Sequence, residues 1–280
     1  MILVNGEEIK FEEFPNGETR IVADSFPKQG YVIQDISFKY ENDSDLIKLM
    51  MVKNYLNQRQ QGDYGQLTIY YMPYSRMDRS ESGSPFTLKY VSNFINSLGF
   101  KKIRVIEPHS DVTPALLNNA ESIYINFDLL PKVMEEVGFD KELDYLFFPD
   151  AGAAKRYHSL KGYKQIVGHK DRDFKTGQIK SLKVVGDIDI FPRKVIIVDD
   201  LSSYGGTFVH SSESLRNLGV KEVYLLVAHA ENSIFKGKLF NHIDKVFTTN
   251  SILTEQNNWE NKKYETQLKI YNIEGVLNND

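Results

Sequence analysis

Four consecutive β-branched residues, Val195-Ile196-Ile197-Val198, run directly into two carboxylates, Asp199 and Asp200. Leu201, Ser202, Ser203, Tyr204, Gly205, Gly206 and Thr207 follow, and Phe208 to Leu218 reads as a helix. An unbroken branched run with no polar alternation is the mark of a short strand covered on both faces. The acids fall where that strand is expected to end. In open parallel sheets ligands sit at the carboxyl ends of the strands. Free N–H groups at a helix start favour a phosphate, and glycines let the backbone approach it. Asp199 and Asp200 would then face sugar hydroxyls or a metal beside that phosphate. The plainer alternative is an ordinary strand–turn–helix whose acids cap the helix.

The rest of the chain alternates in the same way. Val32 to Phe38, Gln66 to Met72, Lys102 to Glu107 and Leu143 to Phe148 read as strands, as do Gln165–Val167, Lys194–Val198, Glu222–Ala228, Lys245–Thr248 and Gln267–Tyr271. Ser44 to Gln60 and Phe86 to Leu98 read as helices, the first with Leu46, Leu49, Met50 and Leu56 on an apolar face. Such alternation predicts parallel sheets with crossover helices, here an α/β fold in two halves. The division is placed at 142/143.

Composition narrows the function. The chain has 280 residues, 41% of them hydrophobic, which suffices for a sizeable core in two domains. A net charge of −4 gives no general basic footprint, so nucleic acid is not an expected partner. No apolar run approaches the ~20 residues of a membrane span. Met1 to Glu8 reads as strand and turn rather than a signal peptide, and a cytoplasmic location is expected. The chain has no cysteine, which excludes disulfides, thiolate metal sites and cysteine nucleophiles.

Five further segments carry polar residues at strand ends, in turns or in a loop. Phe14-Pro15-Asn16-Gly17-Glu18-Thr19 is a turn between two strand-like runs. Tyr70 to Arg79 ends a strand at Pro73 and then presents Arg76, Asp78 and Arg79. Glu107-Pro108-His109-Ser110-Asp111 follows a strand, as does Pro149-Asp150-Ala151-Gly152-Ala153-Ala154-Lys155-Arg156. In the latter, the alternative is that Asp150 is a helix N-cap and Lys155-Arg156 a solvated turn. Gly168 to Lys183 is polar, includes His169-Lys170-Asp171-Arg172, and reads as a mobile loop.

Taken together these segments resemble the ribose-phosphate pyrophosphokinases, or phosphoribosyl pyrophosphate synthetases, across nearly the whole chain. That resemblance implies two phosphoribosyltransferase-type (type I) domains, each a mainly parallel sheet flanked by helices. Residues 1–142 would form an ATP-binding and oligomerisation domain, and 143–280 a catalytic domain that binds ribose phosphate. Phe14, Asn16 and Glu18 would hold the adenine of ATP, Arg76 would grip its phosphates and Asp78 would orient that arginine or the ribose. His109 and Asp150 would bind Mg²⁺. Lys170 and Arg172, from a segment similar to the family's H-K-x-R loop, would fold over the transferred diphosphoryl group, with His109 beside them in the catalytic set. Asp199 and Asp200 would hold the ribose hydroxyls and Gly205, Gly206 and Thr207 the 5-phosphate, with Ser203 and Tyr204 completing the ribose-phosphate-binding loop. The chain would act as a homo-oligomer, of the dimer or hexamer-of-dimers type, with the ATP site shared between subunits.

The departures from the family pattern are local. Met77 replaces a glutamine, and the loop Ser80 to Ser84 is short and without arginine, so one ATP or regulatory contact is expected to be missing. Tyr204 replaces a small hydroxyl residue. The expected reaction is transfer of the β,γ-diphosphate of ATP to ribose 5-phosphate. The alternative is the same transfer to a 5-substituted ribose such as ADP-ribose, with a role in dinucleotide metabolism. A phosphoribosyltransferase would not need the Phe14–Glu18 and Arg76 segments. A non-catalytic regulatory homologue would be expected to have lost key residues that here are present.

Overall fold

The computed structural model describes residues 1–27, 34–59, 64–81, 83–172, 179–185, 194–253 and 264–278. It divides into two compact units, Met1–Tyr124 and Ile125–Asp280. The sequence division at 142/143 therefore falls inside the second unit. A helix starting at Asn126 is the reason: the Asn126 side-chain amide donates to the Asp199 carbonyl at 2.8 Å and to the Tyr157 hydroxyl at 2.7 Å.

In the first unit the six-stranded sheet has the order β2-β1-β5-β6-β7-β8. Its strands are β1 (Ile2–Val4), β2 (Glu7–Glu8), β5 (Gln34–Phe38), β6 (Tyr64–Ile69), β7 (Lys102–Ile106) and β8 (Ala120–Ile123). β5 to β8 run parallel, and β1 is antiparallel to β5. The β1–β2 turn at Asn5-Gly6 is the one expected from sequence. α1 (Ser44–Arg59) and α2 (Thr87–Ser97) close the crossovers. Leu49, Val52 and Leu56 of α1 and Leu88, Val91 and Ile95 of α2 join one core with Ile36, Phe38, Leu67, Ile69, Ile103 and Val105. The spacing of two along each strand puts those strand residues on one face of the sheet. A separate hairpin pairs β3 (Phe11–Glu13) with β4 (Thr19–Ile21). A short α3 (Val112–Leu116) precedes β8.

The second unit has seven strands in the order β11-β10-β9-β12-β13-β14-β15. These are β9 (Tyr145–Phe148), β10 (Lys164–Arg172), β11 (Ile179–Val185), β12 (Lys194–Ser202), β13 (Glu222–Ala230), β14 (Lys245–Thr249) and β15 (Leu268–Tyr271). All neighbours are parallel except β10 and β11. β9 and β12 are central, and Tyr145 to Phe148 and Val195 to Val198 are all buried, as an unbroken apolar run requires. Ile197, Phe147 and Val227 share a core with Phe208 and Leu215 of α6 (Gly206–Asn217). Phe148 stacks on Tyr157, with ring centroids 6.0 Å apart, and Phe127 of α4 (Asn126–Val137) meets the same Tyr157 edge-on. α5 (Ala151–Arg156) follows β9, and α7 (Leu239–His242) and α8 (Ile273–Asn278) complete the unit.

Two sequence expectations change. β12 continues through both acids to Ser202, so Asp199 and Asp200 lie inside the strand rather than after it. The stretch from Gly168 to Lys183, read as a loop, is largely an antiparallel hairpin: β10 runs through His169 to Arg172, and Lys170 pairs with Leu182. β11 is the edge strand of that sheet. Gly177 lies outside the described residues, as do Val32 and Gln60 of the expected elements. Among the described residues no helix is long and apolar enough to cross a membrane.

Candidate active site

The candidate residues divide between the units. In the first, Phe14, Asn16 and Glu18 form the tip of the β3–β4 hairpin. Phe14 N donates to the Glu18 carbonyl at 2.8 Å, and Gly17, with φ +87°, donates to the Phe14 carbonyl at 2.8 Å. Only glycine accepts that left-handed turn at low cost. Asn16 Nδ2 donates to Glu18 Oε2 at 2.8 Å, so the two polar side chains hold each other, and the Phe14 ring is 48% exposed beside them. An exposed flat ring flanked by a carboxylate and an amide is a suitable edge and face for a purine.

The segment after β6 turns sharply. Tyr74 adopts φ +61°, and its hydroxyl donates to Asp43 Oδ1 at 2.5 Å, beside a 2.6 Å bond from the Tyr40 hydroxyl. Arg76 is exposed two residues later, while Asp78 is buried. Burial works against the charge on Asp78, yet the hydrogen bond from Arg79 Nε at 3.0 Å and the charge of that guanidinium keep its carboxyl below the ordinary range. His109 follows β7 after Glu107, which is buried with φ +42° and donates its N–H to the Ile123 carbonyl at 2.7 Å. At Ser80 to Ser84 the chain closes quickly, with Ser84 N donating to the Glu81 carbonyl at 2.9 Å.

In the second unit Asp150 caps α5, its Oδ1 accepting from Ala153 N at 3.0 Å. The capping alternative is thus realised for Asp150, which does not exclude a ligand on the carboxylate. Lys155 is exposed, but Arg156 is not the solvated residue of the alternative reading. Its Nη1 reaches Asp200 Oδ1 at 3.0 Å and Asp199 Oδ1 at 3.4 Å, and its side chain is 10% exposed. Asp200 N also donates to Asp199 Oδ1 at 2.9 Å. Burial pushes the Asp199 carboxyl well up, and the charges of Asp200 and Asp150 push the same way, while Arg156 pulls it back. No motif singled out Arg156. Its partners are 43 and 44 positions away and meet it because β9 and β12 are neighbours.

Beyond β12 the loop Ser203-Tyr204-Gly205 enters α6. Gly205 has φ +80°, and its carbonyl accepts from Phe208 N at 3.0 Å and Val209 N at 2.9 Å. A Cβ on Gly206 would meet nothing within 4 Å, so the space over the helix start is open. Tyr204 is 60% exposed, and Thr207 is half-buried in the first turn. The helix start carries N–H groups without intrahelical acceptors, the ordinary seat for a phosphate. Lys170 and Arg172 lie on β10, with a register shift between Asp171 and Arg172; their side chains lie outside what is described. Among the described residues no three His, Asp or Glu side chains converge on one point. A magnesium ion held chiefly by phosphate oxygens and water needs no such protein cage, and a hard carboxylate such as Asp150 suits it.

The fold defines a two-unit α/β protein with a mainly parallel sheet in each unit. Over 98% of this chain and 88% of the other, it matches the phosphoribosylpyrophosphate synthetase of Mycobacterium smegmatis with a TM-score of 0.73 at 20% identity. No family model matches the chain. Among curated proteins, the ribose-phosphate pyrophosphokinase of Thermococcus kodakarensis is 27% identical over 88% of this chain and 86% of its own length. That of Sulfolobus acidocaldarius is 28% identical over 88% and 84%. The chain is thus similar in sequence, over most of its length, to proteins named ribose-phosphate pyrophosphokinase, and alike in fold to a phosphoribosylpyrophosphate synthetase.

Proposed function

We propose that the chain transfers the β,γ-diphosphoryl group of ATP to the anomeric hydroxyl of ribose 5-phosphate. The hydroxyl oxygen attacks the β-phosphorus, the bond to the α-phosphate oxygen breaks, AMP leaves, and the hydroxyl proton passes to solvent. The product is the 1-diphosphate of ribose 5-phosphate. The observation that carries this reading is the carboxyl end of β12, where Asp199, Asp200 and Arg156 cluster just ahead of the open start of α6. Carboxylates accept from vicinal hydroxyls, and the helix start takes the 5-phosphate. The relatives' name supports the reaction class.

Phe14, Asn16 and Glu18 would receive the adenine, and Arg76 the phosphates through its bidentate fork. Lys170 and Arg172 would neutralise charge on the group in transit, the main protein contribution in phosphoryl transfer. His109 and Asp150 would hold magnesium, which when bound screens the phosphates from one another. A shared ATP site would make the working form a homo-oligomer.

The exposed ring of Tyr204 favours a second acceptor, a ribose bearing a 5-diphosphate substituent such as ADP-ribose. An aromatic face at the edge of an open phosphate seat offers stacking to a second base. AMP release from Mg-ATP with each acceptor decides between them. Release with ribose 5-phosphate alone supports the first reading, release chiefly with ADP-ribose supports the second, and release with neither acceptor overturns both.

A further inference from the structure

The loop that would take the acceptor phosphate does not stand alone. After β13 the chain turns back beneath it. Glu231 N donates to the Ser202 carbonyl at 2.8 Å, which joins the two strand ends one residue before the loop. Ser233 Oγ sits 3.1 Å from Ser203 Oγ and also donates to Glu231 Oε2 at 3.1 Å. One hydroxyl thus links the loop to a carboxylate. Asn232–Lys236 forms a single 3₁₀ turn that ends at Gly237.

Gly237 is the closest point of approach. A Cβ there would lie 2.2 Å from the Tyr204 carbonyl oxygen and 3.2 Å from its carbon. Its backbone, φ −94° and ψ −166°, is extended and open to any residue. The glycine is therefore required by space and not by conformation. On the other side of the loop a Cβ on Gly205 would lie 2.7 Å from Leu239 Cδ1, and Leu239 is fully buried in the core. The loop backbone is seated against the segment 231–239 at both Tyr204 and Gly205. A carbonyl pressed onto Gly237 also fixes the plane of the peptide that follows it, and with it the N–H that enters α6.

We infer that Glu231, Ser233 and Gly237 are positioning residues for acceptor binding, which hold the Ser203–Gly205 backbone in the form that receives the phosphate. This rests on the reading of that loop as the acceptor site. None of the three needs to touch the acceptor, and none acts on ATP. Binding energy that depends on placed backbone amides is lost when the loop must first be ordered. Gly237→Ala would move the Tyr204 carbonyl by about 1 Å, the gap between the close approach and ordinary van der Waals contact. Ser233→Ala would cut the link between Ser203 and Glu231, while Ser233→Thr would keep the hydroxyl.

Two readouts on the full chain test this. Steady-state kinetics with the better of the two acceptors should show KM for the acceptor raised about 10–100-fold in Gly237→Ala and a few-fold in Ser233→Ala, with KM for ATP within twofold of the parent and Ser233→Thr near parent values. Amide hydrogen exchange should quicken at residues 203–207 in Gly237→Ala and Ser233→Ala and stay unchanged in β9 and the start of β12. Equal rises in both KM values, or loop exchange like that of the parent in both variants, would overturn the inference. If the parent chain releases no AMP with any acceptor, the functional reading fails, and the inferred role in acceptor binding falls with it. Exchange then decides only whether the segment orders the loop.

Discussion

Arg156 Nη1 stands 3.0 Å from Asp200 Oδ1 and 3.4 Å from Asp199 Oδ1, one guanidinium serving both acids of the candidate acceptor site. Two adjacent, poorly solvated carboxylates repel each other, and a single fixed cation limits that cost. Arg156→Gln should lower unfolding stability by about 2–4 kcal/mol, because breaking a largely buried pair leaves uncompensated charge. It should also drive the Asp199 carboxyl further up and move the pH optimum for acceptor binding to higher pH. Denaturant unfolding and a pH series of acceptor KM check both. An unchanged pH profile would count against the arrangement.

Asp78 offers the opposite sign. Burial disfavours its charge, but the hydrogen bond from Arg79 and the charge of that guanidinium hold its carboxyl down. A depressed carboxyl contributes stability that is present above its unfolded value of about 4 and is lost as pH falls through the folded one. Asp78→Asn should therefore cost about 1–2 kcal/mol at pH 7, from the lost charged hydrogen bonds, and progressively less below pH 4. Thermal unfolding of the two proteins between pH 3 and 8 should show their curves converging on the acid side.

How far the sequence spoke can be seen at β12. Val195 to Val198 are all buried, so composition alone marks a central strand. The glycines and acids after it point to a ligand because few other uses need that order. The Arg156 contact was hidden, since it depends on β9 lying beside β12, a matter of strand order with no local signal. α4 was hidden too: Pro131 sits inside it and interrupts the helical reading, although buried Leu129, Leu130, Val133 and Met134 carry the face. The first residues of β10, Gln165–Val167, read as a strand, but Gly168 to Lys183 reads as a loop because its polar composition carries no strand signal of its own. The loop brace at Gly237 was invisible, because an extended glycine leaves no trace of what it must avoid.

Tyr74 combines a left-handed backbone with a hydroxyl bond to Asp43, and Arg76 follows two residues later. Aromatic residues adopt φ > 0 at a cost of roughly 1–2 kcal/mol, so something must hold the turn. The Asp43 carboxylate does this, kept ionised by hydrogen bonds from Tyr40 and Tyr74. Tyr74→Phe keeps the strain and loses the bond. It should cost about 1 kcal/mol in stability and raise KM for ATP several-fold, leaving acceptor KM unchanged. A variant with both KM values unaltered would show that the turn does not set Arg76.

The last relation sets function against stability. Asp199 is pushed up by burial first and then by Asp200 and Asp150, with Arg156 offsetting part of this. A carboxyl whose folded value is raised contributes stability fully present below its unfolded value and lost as pH rises through the folded one. The native chain therefore carries a penalty at neutral and higher pH for keeping this acid ready. In Asp199→Asn the amide oxygen can still accept from Asp200 N and Arg156, which lie 2.9 and 3.4 Å from Asp199 Oδ1 in the parent, while the penalty is removed. Asp199→Asn should be about 0.5–2 kcal/mol more stable than the parent at pH 8, a gain typical of neutralised site residues. The gain should vanish as pH falls below about 4, where the unfolded aspartate is itself protonated. Acceptor-dependent AMP release should fall at every pH, because a neutral amide presents one acceptor oxygen where the carboxylate presents two. Unfolding curves at several pH values read the first effect and turnover reads the second. A variant less stable than the parent throughout would show that the charge on Asp199 is a net structural contribution through Arg156.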